Sequence, residues 1–285
     1  MSGKIDNPPG ILTRQAMMIH KTVTYLALVT GLLCSSAAHT ALAVPALPAA
    51  NTTSPAVQAI HTLQGVEMAA YRAATSFYLY NVLNRDPQQY RKMQTMLSEG
   101  DSYIAKADNP ALQLKWDALK HACTTAKFTA EGGVADTDSI IAVDAALIDL
   151  TAALHVSMKV QRATGTVAVN KMADMLYDEY VTMQTMTAAY LKLSADYFGG
   201  AIVASRNGNV DIAKLAIKFG DQLGQLNRFY GKHPKIGPLL KDITIRWGFV
   251  KNSLINFNEN NVPFVVGRYS EQITDKLLQA HVISL

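Results

Sequence analysis

Soft ligands come in regular pairs. Methionines recur three residues apart at Met93 and Met96, Met172 and Met175, and Met183 and Met186, and the string Met-Gln-Thr-Met occurs twice. A spacing of three puts both thioethers on one helix face. Soft thioethers in an exported protein are what copper(I) favours. The competing use is packing, since methionine fills irregular gaps in helical cores. Packing is the stronger reading, because no histidine or cysteine joins any pair in sequence. The histidines His61, His121, His155, His233 and His281 form no His-x-x-x-His or Glu-x-x-His arrangement, so no metal site is expected.

Acid–base chemistry has one candidate stretch. Asp174, Asp178 and Glu179 fall close together, with Asp174 and Asp178 on one helix face. Paired carboxylates can move protons, but such rows are more often a solvated face or ion pairs. There is no Gly-x-Ser-x-Gly, no phosphate loop and no dinucleotide fingerprint. Cys123 continues an apolar stripe of Leu112, Trp116 and Leu119, the setting of a buried thiol and not of a nucleophile. No catalytic residue and no cofactor is expected. Binding is better served. Tyr71, Tyr78 and Tyr80 sit on one long segment, and Tyr177, Tyr180, Tyr190 and Tyr197 on another. Rings with a polar tip suit inter-helix clefts as well as core edges. Arg72, Tyr71 and Tyr180 are the candidate ligand contacts, and Trp116 and Trp247 are expected core anchors.

These side chains must be held by helices. Ser54-Pro55, Asp86-Pro87 and Asn109-Pro110 each combine a capping side chain with proline at the first helical position. They predict helices from Pro55 to about Asn84, from Pro87, and from Pro110. Gly132-Gly133 breaks the chain, and Asp136 to Asp138 cap a fourth helix with Ile140, Val143, Leu147, Leu150, Leu154 and Met158 at three-four spacing. A fifth helix is expected from about Val167 to Phe198, where Gly199-Gly200 bends or ends it, and Asn207-Gly208-Asn209 is a turn. The sixth carries Ile212, Leu215, Phe219, Leu223, Leu226 and Tyr230. The seventh carries Leu240, Ile243, Trp247, Val250, Leu254 and Phe257. Pro263 leads the last, after a loop at Asn258 to Asn261. No segment alternates with period two, so no strand is expected. The fold class is all-α.

The series divides into two similar sets: a long helix, a shorter one, a proline-led third with the only tryptophan of its set, and a short fourth. Lys115-Trp116 precedes Lys120 as Arg246-Trp247 precedes Lys251. This spacing predicts an up-down helical bundle of two tandem four-helix halves, residues 55–165 and 166–285, the second half's third helix about two turns longer.

Leu63-Gln64-Gly65 is followed by Val66-Glu67-Met68-Ala69-Ala70-Tyr71-Arg72. In the second half Val169-Asn170 precedes Met172-Ala173-Asp174-Met175-Leu176. With tandem modules and a tryptophan on each third helix, this resembles the sensory domain of type IV pilus methyl-accepting chemotaxis transducers, a domain type also carried by nitrate/nitrite sensors. Those modules open with Leu-Ala-Gly and an arginine- and methionine-rich stretch. The resemblance, over about Ser54 to Leu285, implies a four-helix sensory fold. The paired arginines are missing here, so it does not bring anion binding by that route.

The 285 residues are 49% hydrophobic and 17% charged, enough to build a core and unlike a disordered chain. Lys21, the apolar run Tyr25 to Val29 with Leu32-Leu33, and Ala41-Leu42-Ala43 follow the order of a secretion signal over residues 1–43, with Met17 or Met18 as alternative starts. Leu33 before Cys34 argues against a lipoprotein. Residues 44–54, with Pro45 and Pro48, form a tether. Beyond the leader the formal charge falls from +4 to about +2, which offers nothing to nucleic acid. No later stretch is expected to span a membrane. The expected product is a soluble periplasmic helical bundle, sensor-like and non-catalytic, that binds a small molecule or partner protein. The alternatives are a structural or interaction protein of the envelope, serving adhesion or secretion, and, third, a copper-handling protein.

Overall fold

Caps decide where the helices begin. In a computed structural model that describes residues 54–128, 135–164, 170–196, 210–257 and 261–285, the Ser54 hydroxyl accepts from the Val57 amide at the start of α1 (Pro55–Val82). Asp86 accepts from the Gln88 amide to open α2 (Pro87–Ala107). Asn109 accepts from Ala111 and Leu112 to open α3 (Pro110–Thr124). Each cap satisfies amides that have no partner within the helix. Asp136 takes the Ser139 amide at the start of α4 (Thr137–Thr164). Asn170 caps α5 (Lys171–Ala195) and Asp211 caps α6 (Ile212–Tyr230). At α7 (Ile236–Ile255) the His233 imidazole Nδ1 accepts from the Lys235 and Ile236 amides. Proline leads α8 (Pro263–Ser284).

The protein is all-α. Among the described residues there is no strand, only an isolated bridge between Phe128 and Ala135. Four expectations need correction. The fifth helix starts at Lys171 and not at Val167, because Asn170 is its cap. The fourth is not short: its apolar row stays buried as far as Met158 and it runs 28 residues. It is also long and apolar enough to cross a membrane by length and composition, contrary to the expectation that no such stretch follows the leader. The third helix of the second set has 20 residues against 15, nearer one turn and a half than two. Gly132-Gly133, Val167 to Val169, Phe198 to Gly200, Asn207-Gly208-Asn209 and Asn258 to Asn260 lie outside the described residues.

Two helices are central. α1 packs on α2, α4 and α5, and α5 packs on α1, α6 and α8. Around them α3 lies on α4, and α7 lies on α6 and α8. Every residue from Leu63 to Ala74 is buried, so the middle of α1 has no solvent face. A helix enclosed on all sides needs small residues where neighbours press closest. Gly65, Ala69, Ala70, Ala73 and Ala74 supply them, and a Cβ at Gly65 would lie 2.5 Å from the Tyr103 ring. Each tryptophan meets a glycine of the preceding helix. Trp116 of α3 lies over Gly100 of α2, and Trp247 of α7 over Gly220 of α6. In the first pair the indole Nε1 donates to Asp101 at 2.8 Å, and Lys120 reaches the same carboxylate at 2.6 Å.

Candidate functional site

A row of polar side chains runs through the apolar interior where α1 meets α5. It starts at Glu67, which has no solvent exposure. Its two carboxylate oxygens accept from His155 of α4 at 2.6 Å and from the Tyr177 hydroxyl of α5 at 2.5 Å. A buried carboxylate is tolerated when donors hold it in this way. The hydrogen bond to Glu67 raises the His155 pKa above the usual histidine range, against the lowering effect of burial. Burial first, and then Glu67, push Tyr177 well above the usual tyrosine value. One turn along α1, the Tyr71 hydroxyl pairs with Thr185 at 2.9 Å, and burial lifts its pKa to about 12. Tyr180 stacks on Tyr177 with ring centroids 5.8 Å apart, accepts from Gln184 and is likewise pushed by burial to about 12.

The row ends in a cavity. Arg72 donates to Asp275 of α8, and Lys92 of α2 pairs with Glu271 of α8. Beside Arg72, Lys92 and Glu271 lies a small, partly open cavity of about 30 Å³, with Thr75, Ser76, Gln184, Thr187, Ser270 and Thr274 also in its walls. That is room for about two water molecules. Four helices meet there: α1, α2, α5 and α8. Two wall atoms are buried without a hydrogen-bond partner, Arg72 Nε and the Ser270 hydroxyl. Such atoms cost about 1–3 kcal/mol each until something satisfies them. The two cations are balanced by two carboxylates, so the walls favour a group offering both donors and acceptors over a bare anion.

Of the expected ligand contacts, Arg72 lines this cavity. Tyr71 and Tyr180 do not. They belong to the neighbouring polar row, their hydroxyls meeting Thr185 and Gln184, and the Tyr180 hydroxyl also interacts with Arg72. Trp116 and Trp247 are both buried, with 0% and 5% of their surface exposed. Sequence reasoning missed Glu67, His155, Lys92, Ser270, Glu271 and Asp275. Glu67 did leave a signal, a single acid in a run of apolar and small residues. Glu271 and Asp275 gave none, since acids four apart near a chain end look like any solvated face.

The carboxylates of α5 divide. Asp174 pairs with Arg162 at 3.1 Å, as an ion-pair row would. Glu179 departs from that reading. It is fully buried, neither oxygen has a partner, and burial drives its pKa up to about 9, opposed by Lys218 of α6. Met93, Met96, Met183 and Met186 all lie in the core, and no cluster of three histidine, cysteine or acidic side chains suited to a metal occurs among the described residues. Cys123 is buried, and burial raises its thiol pKa to about 12.

No family model, no curated protein and no solved structure matches this chain.

Proposed function

We propose that this chain is an exported, non-catalytic binding protein whose ligand is a small polar molecule held where α1, α2, α5 and α8 meet. The observation that carries this reading is the cavity lined by Arg72, Lys92 and Glu271, with Arg72 Nε and Ser270 Oγ left unsatisfied beside it. Ligand sites in helical bundles lie between helices and use few converging polar groups. The volume suits a small group, or the polar end of a larger molecule, rather than a drug-sized ligand.

The architecture behind the proposal is two tandem up-down four-helix halves, joined along α1 and α5. Three parallels support it. The central helix of each set packs on the second and fourth of that set, α1 on α2 and α4, α5 on α6 and α8. Each third-helix tryptophan covers a second-helix glycine. Both glycines precede an aspartate, Gly100-Asp101 and Gly220-Asp221, and both tryptophans precede a lysine by four, Lys120 and Lys251. The likeness to chemotaxis and nitrate/nitrite sensory domains fits this arrangement, and so does a periplasmic site of action after removal of residues 1–43. A binding protein of this kind passes its signal to a partner.

The test is a thermal-shift series on the purified protein with nitrate, other small anions, amino acids and copper(I). A true ligand at a hundred times its dissociation constant adds about 2.7 kcal/mol of stability. At least one small polar compound is expected to raise Tm, and Ser270→Val to abolish that rise. No shift with any of them sinks the reading. A second reading, an interaction protein of the envelope, is favoured by one surface. Ile245 and Phe249 stand on one face of α7, 54% and 61% exposed, with Phe264 and Val265 exposed at the start of α8. Retention of a specific envelope protein that Phe249→Ser releases would support it.

A further inference from the structure

α4 has two apolar faces and only one of them is covered. Val143, Leu147, Leu150 and Leu154 pack inward. On the opposite side Ala142, Ala145, Ile148, Ala152, Val156, Val160 and Ala163 are all exposed. Ile148, Val156 and Val160 keep 43%, 64% and 52% of their surface in water. The exposed row follows the three-four spacing of a helix-packing seam, and Ala145 to Ala163 spans about 27 Å at 1.5 Å per residue. Two charges interrupt it, Asp149 and Lys159, both exposed, and His155 and Arg162, also exposed, stand at its edge.

The order of residues along this face is its own complement. Two α4 helices laid antiparallel about a two-fold axis at the level of residue 154 bring Asp149 opposite Lys159, Ile148 opposite Val160, Ala152 opposite Val156 and Ala145 opposite Ala163. Each pairing occurs twice, as a two-fold interface requires. We infer that α4 is the contact between two copies of this chain. At the centre Ala152 meets Val156, Ile148 and Val160 lie on either side of them, alanines at the two ends let the helices approach, and each charge meets its opposite. Among the described residues Asp149 pairs with Lys115 of α3 at 3.9 Å, with both side chains exposed, a loose contact of the kind that contributes little. A bilayer fits the same face less well. Asp149 and Lys159 lie about 15 Å apart along one helix, so in lipid they could not pair with each other, whereas a second copy brings each to its opposite.

Charge reversal with rescue tests this in the purified protein. Sedimentation equilibrium over a range of concentrations is expected to show a reversible dimer. Asp149→Lys and Lys159→Asp, each alone, place like charges together twice and are expected to weaken the dimer at least tenfold. The double variant Asp149→Lys/Lys159→Asp is expected to return the dissociation constant to within threefold of the parent. Both positions are exposed, so circular dichroism melts of all variants should match the parent. A protein that stays monomeric at every concentration overturns the inference. So do single reversals without effect, or a double variant no tighter than the singles. Flotation of a monomeric protein with phosphatidylcholine vesicles, abolished by Val156→Glu, would assign the face to a bilayer instead.

Discussion

At the residue scale the most consequential side chain is Glu179, an acid in the core without a hydrogen-bond donor. Burial raises its pKa to about 9, so the folded protein keeps a proton that the unfolded chain releases above about 4.5. Its stability contribution is therefore fully present at low pH and falls as pH rises through the window from 4.5 to 9. Glu179→Leu is expected to raise stability by about 1–3 kcal/mol near neutral pH, with a gap to the parent that widens toward pH 9 in urea melts. A gap independent of pH refutes the assignment. Histidines act in opposite senses. His155, held by Glu67, has a raised pKa, so its stabilisation is complete below the ordinary histidine value and is lost as pH rises through its folded value. Burial depresses His281 to about 4, so its contribution is present above the ordinary value and is lost as pH falls toward 4. His155→Gln should flatten the alkaline side of the stability profile and His281→Gln the acid side, each read by thermal melts across pH 4 to 8.5. Little of this was legible in the sequence. Asp178 and Glu179 are chain neighbours of like charge, and only the packing of α6 over α5 separates an exposed acid from an enclosed one.

At the element scale the sequence was far more informative, because helix starts are written locally. Ser54, Asp86, Asn109 and Asp136 each cap the helix they announce, and the three-four row of α4 and that of α7 as far as Leu254 are buried as spaced, with Phe257 half-buried beyond the end of α7. What spacing does not state is which helix an apolar row faces. Lys92 on α2 meets Glu271 on α8, 179 positions further along the chain, and no local pattern encodes that meeting. Neither does a pattern say which glycines matter. A Cβ on Gly100 would lie 2.0 Å from the Trp116 ring. Gly100→Ala must therefore push α2 from α3 and is expected to cost about 1–3 kcal/mol. Gly248, also mid-helix, is exposed with nothing within 4 Å, so Gly248→Ala should gain up to about 1 kcal/mol from helix propensity alone. Denaturant melts of the two variants shifting in the same direction would contradict this account of the tryptophan–glycine contact.

At the scale of the whole molecule, the two sets of helices share one hydrophobic core, and a few polar contacts are set within it where they meet. Lys192 of α5 forms a buried ion pair with Asp144 of α4 at 2.9 Å, and Thr137 at the start of α4 donates to Asp196. With Glu67–Tyr177 and Tyr71–Thr185 they fasten the meeting of α1, α4 and α5. Breaking a buried ion pair from one side leaves a charge stranded and costs about 3–5 kcal/mol, so Asp144→Ala is expected to lower Tm more than any substitution of an exposed pair such as Lys115–Asp149. The arrangement also bears on how the chain reaches this state. Most packed helices are sequence neighbours, α1 with α2, α3 with α4, α6 with α7 and α7 with α8. Short-range pairing folds quickly, and chains beyond about 100–150 residues commonly populate intermediates. Each set of helices also carries its own fluorophore, Trp116 in one and Trp247 in the other. Refolding followed separately in Trp247→Phe and Trp116→Phe variants is expected to give two different fast phases and one shared slow phase, the slow one being closure of the polar row between α1 and α5. A single phase common to both variants would mean that the molecule condenses around its two central helices in one step.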